Sequence, residues 1–287
     1  MKIGVVIGDF RWAGSPVETL TRIAHAGDDF DFSLIGVGDH LWQGPHAGGP
    51  EAPQLECFTV LSFLAAHTRR CRIAPVVAGV HFRPPGLLAK TVTTLDVLSG
   101  GRAVLGLGVG WDEAEAAGLG IPFPSLARRF EMLEETLQIC RGMWEGEQGS
   151  EQPFSGRHYA LERLLNLPQS HSRPRPPIMI GGGGDRTLRL VARYADACNL
   201  YAGSDVRDRL DVLRGHCAAE GRDYDEIEKT CILPFDVADA GQNAGALVEE
   251  LRKLEAAGIQ TAVGIVSGPD PARQVELIGK HVVPAVA

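Results

Sequence analysis

Two hydrophobic patterns alternate along this chain from end to end. Short, nearly continuous apolar runs are each followed by a longer stretch in which apolar residues recur at intervals of three and four, the signatures of strand and helix. Read this way, strands are predicted over residues 3–7, 34–38, 73–77, 103–107, 178–181, 197–201, 230–235 and 261–266. The helices between them carry their own punctuation. Ser15 and Glu18 form a capping box with Pro16 at the first helical position, Ser99-Gly100-Gly101 stops the third helix, and Asp270-Pro271 opens the last. The second helix is predicted from about Leu55, with Leu55, Phe58, Leu61 and Leu64 on one face. The fourth is predicted from about Ser125, with Leu126, Phe130, Leu133, Leu137 and Cys140 on one face.

Strands that alternate strictly with helices demand a parallel sheet, because parallel neighbours need a crossover connection. Eight such units in 287 residues match a closed barrel. The predicted class is therefore α/β, a single TIM-type (β/α)₈ barrel domain over residues 1–287. The rival, a doubly wound open sheet, announces its phosphate turn as G-x-G-x-x-G after the first strand. Here that turn reads Gly8-Asp9-Phe10-Arg11-Trp12. A polar stretch rich in Pro, Gly and Ser, residues 146–177, is too long for an ordinary connector and is expected as an insertion over the C-terminal mouth of the barrel.

Composition narrows the function. The formal net charge is −8, and the densest basic cluster, Arg69, Arg70 and Arg72, is explained by a solvated helix end, so no nucleic-acid partner is expected. The N-terminal apolar run breaks at Gly8-Asp9, too soon for a signal peptide. No window approaches the ~20 apolar residues of a membrane span, so no membrane partner is expected either. The six cysteines stand far apart with no C-x-x-C pair, which points to reduced thiols in a cytoplasmic protein and to no zinc site. No G-x-S-x-G elbow is present, which sets aside an α/β-hydrolase.

Barrel active sites lie at the C-terminal ends of the strands, so the residues just after each strand are the candidates. Asp39-His40 closes the second strand. A carboxylate and an imidazole there would serve as hydrogen-bonding anchor and proton donor, or else as a capped strand end with a surface histidine. Gly181-Gly182-Gly183-Gly184 precedes a helix, where bare backbone N–H groups and the helix dipole suit a phosphate and Arg186 would add a counter-charge. The bland alternative is a flexible turn. Gly106, Gly108 and Gly110 alternate along the fourth strand without the third glycine of a dinucleotide fingerprint, and read as a wall thinned for a flat ring. Trp111 then becomes either a pocket wall or a core residue. A metal cluster of Asp39, His40 and His46 is conceivable, with His81 the only other strand-end ligand, and no metal is predicted.

The run Phe82-Arg83-Pro84-Pro85-Gly86-Leu87-Leu88-Ala89-Lys90, then Thr94 to Arg102 (TLDVLSGGR), then Gly106-Leu107-Gly108-Val109-Gly110-Trp111, resembles the luciferase-like monooxygenase superfamily. It resembles most the actinobacterial branch that uses the deazaflavin coenzyme F420, which the glycine run with Arg186-Thr187-Leu188 and Tyr194-Ala195-Asp196-Ala197 also match. The resemblance implies a barrel, often a homodimer, with the cofactor ring at its mouth. It implies that Asp39 binds the deazaflavin, that His40 is the catalytic residue near the reacting carbon, and that a bulge within Val76, Val77 and Gly79, often with a non-prolyl cis peptide, supports the ring alongside Gly108. The cofactor phosphate would lie on Gly182, Gly183, Gly184, Asp185 and Arg186. Sugar-phosphate dehydrogenases of the superfamily carry a glutamate acid/base directly after the G-x-G-x-G run, where this chain has Trp111. A small apolar or aromatic organic substrate, against Trp42, Trp111 and Phe123, is expected instead. The implied activity is F420-dependent hydride transfer. The alternatives are an FMN-dependent monooxygenase on the same barrel and a non-catalytic deazaflavin-binding protein.

Overall fold

The strand and helix patterns fold as a ring of parallel staves in the computed structural model, which describes residues 1–287 except 45, 46 and 239. β1 (Lys2–Ile7) leads to α1 (Pro16–Asp29) and β2 (Leu34–Val37) to α2 (Cys57–His67). The third stave is split into β3 (Arg72–Pro75) and β4 (Ala78–Gly79) and leads to α3 (Pro85–Ser99). β5 (Leu105–Gly108) is followed by the short α4 (Glu113–Gly118) and the long α5 (Leu126–Met143), then by a small hairpin of β6 (Phe154–Ser155) and β7 (Ala160–Leu161). β8 (Ile178–Gly181) and α6 (Asp185–Tyr194), β9 (Ala197–Tyr201) and α7 (Val206–Glu220), β10 (Glu228–Pro234) and α8 (Ala244–Ala256), and β11 (Thr261–Val266) with α9 (Pro271–His281) and α10 (Val283–Val286) complete the chain.

The sheet order is β3-β2-β1-β11-β10-β9-β8-β5-β4. Its two ends are the two halves of one stave, so the sheet closes on itself. Closure is explicit at Ile73, whose N–H donates to the Arg102 carbonyl at 2.9 Å and whose carbonyl accepts from the Val104 N–H at 2.9 Å. Val6, Leu34, Ala74, Val104, Met179 and Val263 fill the barrel, while a second apolar layer packs the strands against the surrounding helices. Both faces of each strand are thus buried, which is why the strands read as continuous apolar runs.

The local signals act as expected where they are local. Ser15 Oγ accepts from the Glu18 N–H at 3.4 Å, Gly100 ends α3 at φ 70°, and Asp270 accepts from the Arg273 N–H at 3.0 Å. α2 starts at Cys57 rather than Leu55, because Glu56 is its cap and accepts from the N–H groups of Phe58 and Thr59. α4 has too few turns to show a periodicity and went unseen in the sequence. The third stave is interrupted where the Val76–Val77 peptide is cis, inside the bulge region implied by the resemblance.

Residues 146–177 do not cover the mouth, contrary to expectation. They run along the outside of α3 and α5. The Ser172 N–H and hydroxyl bond Asp96 at 2.9 and 2.7 Å, Asn166 donates to Thr93 Oγ at 3.1 Å, and Glu135 accepts from the N–H groups of Arg157 and Tyr159 at 2.7 and 3.0 Å. The reason is topological. This segment joins the end of a helix to the start of a strand, and such joints lie at the N-terminal face, whereas strand-to-helix loops form the mouth. No helix among the described residues is long and apolar enough to cross a membrane, and all six cysteines are free and buried.

At the N-terminal face Glu228 ties three staves together. It accepts from Arg72 Nη1 at 2.8 Å and from the Thr261 hydroxyl at 2.6 Å. Burial raises its pKa, but Arg72, Thr261 and Lys2 outweigh burial and hold it at about 2. Its folded pKa is depressed, so its stabilisation is present above the ordinary carboxylate pKa and is lost as pH falls from there towards 2. Glu228→Gln should therefore lower stability at pH 7 by roughly 1–2 kcal/mol and flatten the acid limb of the stability curve. Denaturant midpoints at pH 7 and pH 3 check both statements.

Candidate active site

The C-terminal ends of the staves enclose a cleft of about 290 Å³, with Asp39, His40, Val77, Gly108, Trp111 and Asn199 among its walls. The glycines around it are dictated by the third stave. A Cβ on Gly108 would stand 2.9 Å from Val77 Cγ2, one on Gly181 2.8 Å from the same atom, and one on Gly106 2.0 Å from the Pro75 carbonyl oxygen. The glycines therefore let the third stave, from Pro75 to the Val76–Val77 bulge, press closely against the paired β5 and β8. Val76, Val77, Gly79 and Gly108 all line the cleft beside this bulge.

Asp39, at the end of β2, has no exposed side-chain surface. Arg83 clamps both its oxygens at 2.7 and 2.9 Å, and the Gly79 N–H adds a contact at 3.3 Å. Arg83 also reaches Glu56 at 2.7 Å. Burial works against the guanidinium's charge, but Asp39 and Glu56 overcome it and raise the Arg83 pKa. The next residue, His40, turns its Nδ1 to Glu115 Oε2 at 2.8 Å. Glu115 is a residue the sequence reading missed. It is buried, and its other oxygen accepts from the backbone N–H groups of Leu41 and Trp42. Asp112 caps α4 through the Glu115 N–H at 3.0 Å, which sets the carboxylate in place. Burial disfavours charge on both partners. The hydrogen bond and opposite charge across the pair prevail, so the His40 pKa is raised and that of Glu115 lowered. The signal for Glu115 was the capping pattern Asp112-x-x-Glu115, one helical turn beyond Trp111.

Trp111 is 61 % exposed and sets its ring edge-on to His40 at 5.2 Å between centroids. Trp42 is turned elsewhere: its ring lies over Gly118 in α4, where a Cβ would stand 2.0 Å from it, and the cleft is lined without it. His81, which the sequence suggested only as a strand-end candidate, stands in the wall. Its ring lies tilted by 37° against Phe82, with centroids 4.1 Å apart, and edge-on at 5.0 Å to Phe123. Burial and then Arg129 push its pKa down to about 4.

At the far side, Gly182 (φ 117°) donates its N–H to the Asn199 carbonyl at 2.9 Å. Gly184 caps α6 with no side-chain acceptor, so the first-turn N–H groups have no capping side chain. Asp185 pairs with His216 at 3.0 Å, and Arg186 is exposed at this end. Among the described residues, His40, Asp112 and Glu115 bring possible metal-ligand atoms within 4.8 Å of one another. Their hydrogen bonds to one another and to the backbone already engage them. The Asp39–His40–His46 grouping lies partly outside the described residues.

The sequence profile of the luciferase-like monooxygenase family matches residues 1–275. The chain belongs to that family. It is 29 % identical over 208 residues to an F420-dependent glucose-6-phosphate dehydrogenase of Microbacterium testaceum, a match covering 70 % of this chain and 59 % of that protein. It is 32 % identical over 181 residues to the pyrimidine monooxygenase RutA of Acinetobacter baylyi, covering 61 % and 45 %. The aligned part thus spans about three-fifths or less of these curated relatives. Its fold superposes on an F420-dependent secondary alcohol dehydrogenase solved with an F420–acetone adduct, with a TM-score of 0.81 and 18 % identity over 100 % of this chain and 99 % of the other. Family members of this luciferase-like type thus include both F420-dependent dehydrogenases and monooxygenases.

Glu115→Gln removes the charge that holds the proton on His40. The His40 titration midpoint, followed by NMR of the ring, should move to lower pH, and an unmoved midpoint would show that Glu115 is not its electrostatic partner.

Proposed function

We propose that this protein is an F420-dependent oxidoreductase that transfers a hydride between the deazaflavin and a small, largely apolar organic compound. The observation that carries the reading is the His40–Glu115 pair, a raised-pKa imidazole on a buried carboxylate, at the edge of a cleft with a glycine-flanked floor.

The residues suit the cofactor. Val76, Val77, Gly79 and Gly108 offer a smooth support for a flat ring, with Asp39 and Asn199 at its margin. Gly182, Gly183, Gly184, Asp185 and Arg186 present the uncapped start of α6 to a phosphate. F420, when bound, supplies or accepts two electrons as a hydride. The chain handles the proton. Glu115 holds Nδ1 of His40, which leaves Nε2 as the nitrogen free to act. Were a carbonyl compound reduced in the cleft, Nε2 of His40 would be the group that gives the proton to its oxygen. In the oxidising direction the neutral imidazole takes that proton back. The named lining of the cleft carries Asp39, Asp112 and Glu115 but no lysine or arginine, so a sugar phosphate finds no counter-charge there.

The similarity to a pyrimidine monooxygenase favours a second reading, an FMN-dependent monooxygenase. Titration with each cofactor separates the two: F420 should bind at least tenfold more tightly than FMN, and the reverse order would sink the F420 assignment. His40→Ala should lower turnover by ~10²-fold or more while F420 affinity holds. Unchanged turnover would remove His40 from the chemistry, and turnover absent in the unaltered protein would favour a deazaflavin-binding role. Reduction should also slow as pH rises through the raised His40 pKa, and in Glu115→Gln that decline should begin at lower pH.

A further inference from the structure

Asn199 is a polar residue set at the top of the barrel interior. Its neighbours in β9 fix the direction of its side chain. Ala197 packs inside the barrel and Cys198 and Leu200 pack against the outer helices, so Asn199 points inward with Ala197. It is only 5 % exposed, and it lines the cleft. Its Oδ1 accepts from the Thr230 hydroxyl at 2.9 Å. That hydroxyl also lies 2.8 Å from the Cys198 carbonyl, which already belongs to the β9–β10 ladder, so its one proton is needed at the amide oxygen. Nδ2 has no hydrogen-bond partner among the described residues. The His81 nitrogens also lack partners but are sealed from solvent, whereas Nδ2 of Asn199 is not sealed and opens on the cleft.

An open donor at this depth constrains what lies over it. A ligand that covers Asn199 shuts water out, and an amide N–H then left unpaired costs roughly 1–3 kcal/mol. The ligand must bring an acceptor. β9 pairs with β8 so that Asn199 stands beside Gly181, and a Cβ on Gly181 would meet Val77 Cγ2 at 2.8 Å. Asn199 therefore borders the Val76–Val77 bulge, the proposed support of the flat ring. The glycines proposed for the phosphate lie beyond β8, in the loop that leads out to α6. The inward amide thus faces the ring and not the chain that leads to the phosphate. In flavins and deazaflavins alike, the ring carries its two carbonyl oxygens at the pyrimidinedione end.

We propose that Asn199, held by Thr230, donates from Nδ2 to a carbonyl oxygen of the cofactor ring and so turns the pyrimidinedione end of that ring towards β9. This rests on the cleft being the cofactor site of the proposed oxidoreductase. F420 and FMN share the pyrimidinedione, so the inference holds for either. Thr230 acts through Asn199 and is a positioning residue.

The test compares the unaltered protein with Asn199→Leu and Asn199→Asp, each shown to be folded by circular dichroism. F420, FMN and 5-deazalumiflavin are titrated at pH 7.5. The last is a bare ring whose only oxygens are the two carbonyls. Asn199→Leu removes the donor at similar size and should weaken binding of the bare ring, and of whichever cofactor binds, by about tenfold. Asn199→Asp keeps the shape but turns lone pairs on the carbonyl, and should weaken binding at least as much. Thr230→Val, which only frees the amide, should cost less. In protein labelled with ¹⁵N-asparagine, the Asn199 side-chain signal, identified by its loss in Asn199→Leu, should shift on adding the bare ring. Unchanged affinity in Asn199→Leu overturns the proposal. So does full binding by Asn199→Asp, which would make the site's role one of shape, and so does a loss seen with F420 but not with the bare ring, which would assign the bond to another part of the cofactor. In each of these cases the cofactor reading stands. Failure of both F420 and FMN to bind the unaltered protein would defeat that reading and this inference with it.

Discussion

The mouth of this barrel depends on one buried ion pair. Asp39 closes β2 and Arg83 follows β4, and their bidentate contact is sealed from solvent on the Asp39 side. Removing either partner of such a pair leaves an uncompensated charge, at a cost of about 3–5 kcal/mol. The pair fixes more than itself. Arg83 reaches on to the Glu56 cap of α2, and Asp39 holds the Gly79 N–H at the end of the split third stave. The β2 end, the bulge and the start of α2 are thereby held in one arrangement, and His40 inherits its position from its neighbour in the chain.

On that frame the protein sets two histidines in one cleft and drives them apart electrostatically. His40 meets the buried Glu115 carboxylate and has its pKa raised, whereas His81 meets phenyl rings and Arg129 and has it lowered to about 4. His40 is thereby biased towards its protonated form and His81 towards its neutral one.

Trp111 directly follows the glycine run of β5 and stands exposed beside His40. The carboxylate that contacts His40 comes from Glu115, one helical turn farther on. The side chains that line the mouth are largely acidic and apolar.

The sequence by itself determined the order and type of the elements. Strands buried on both faces need unbroken apolar runs, and helices begin and end on caps such as Ser15, Gly100 and Asp270, so these signals are carried by residues close together in the chain. It also pointed to Asp39, His40 and the glycine run, since strand ends in a barrel converge on one mouth. Tertiary structure alone decided the rest. Glu115 lies 75 residues from His40, and their meeting depends on where α4 docks. Trp42 faces Gly118 because that glycine leaves room for its ring. Residues 146–177 follow the outer helices because their ends lie at the opposite face. His81 is an ordinary strand-end residue in the sequence. Only packing around it removed its hydrogen-bond partners, because burial is set by neighbours distant in the chain and no local pattern records it.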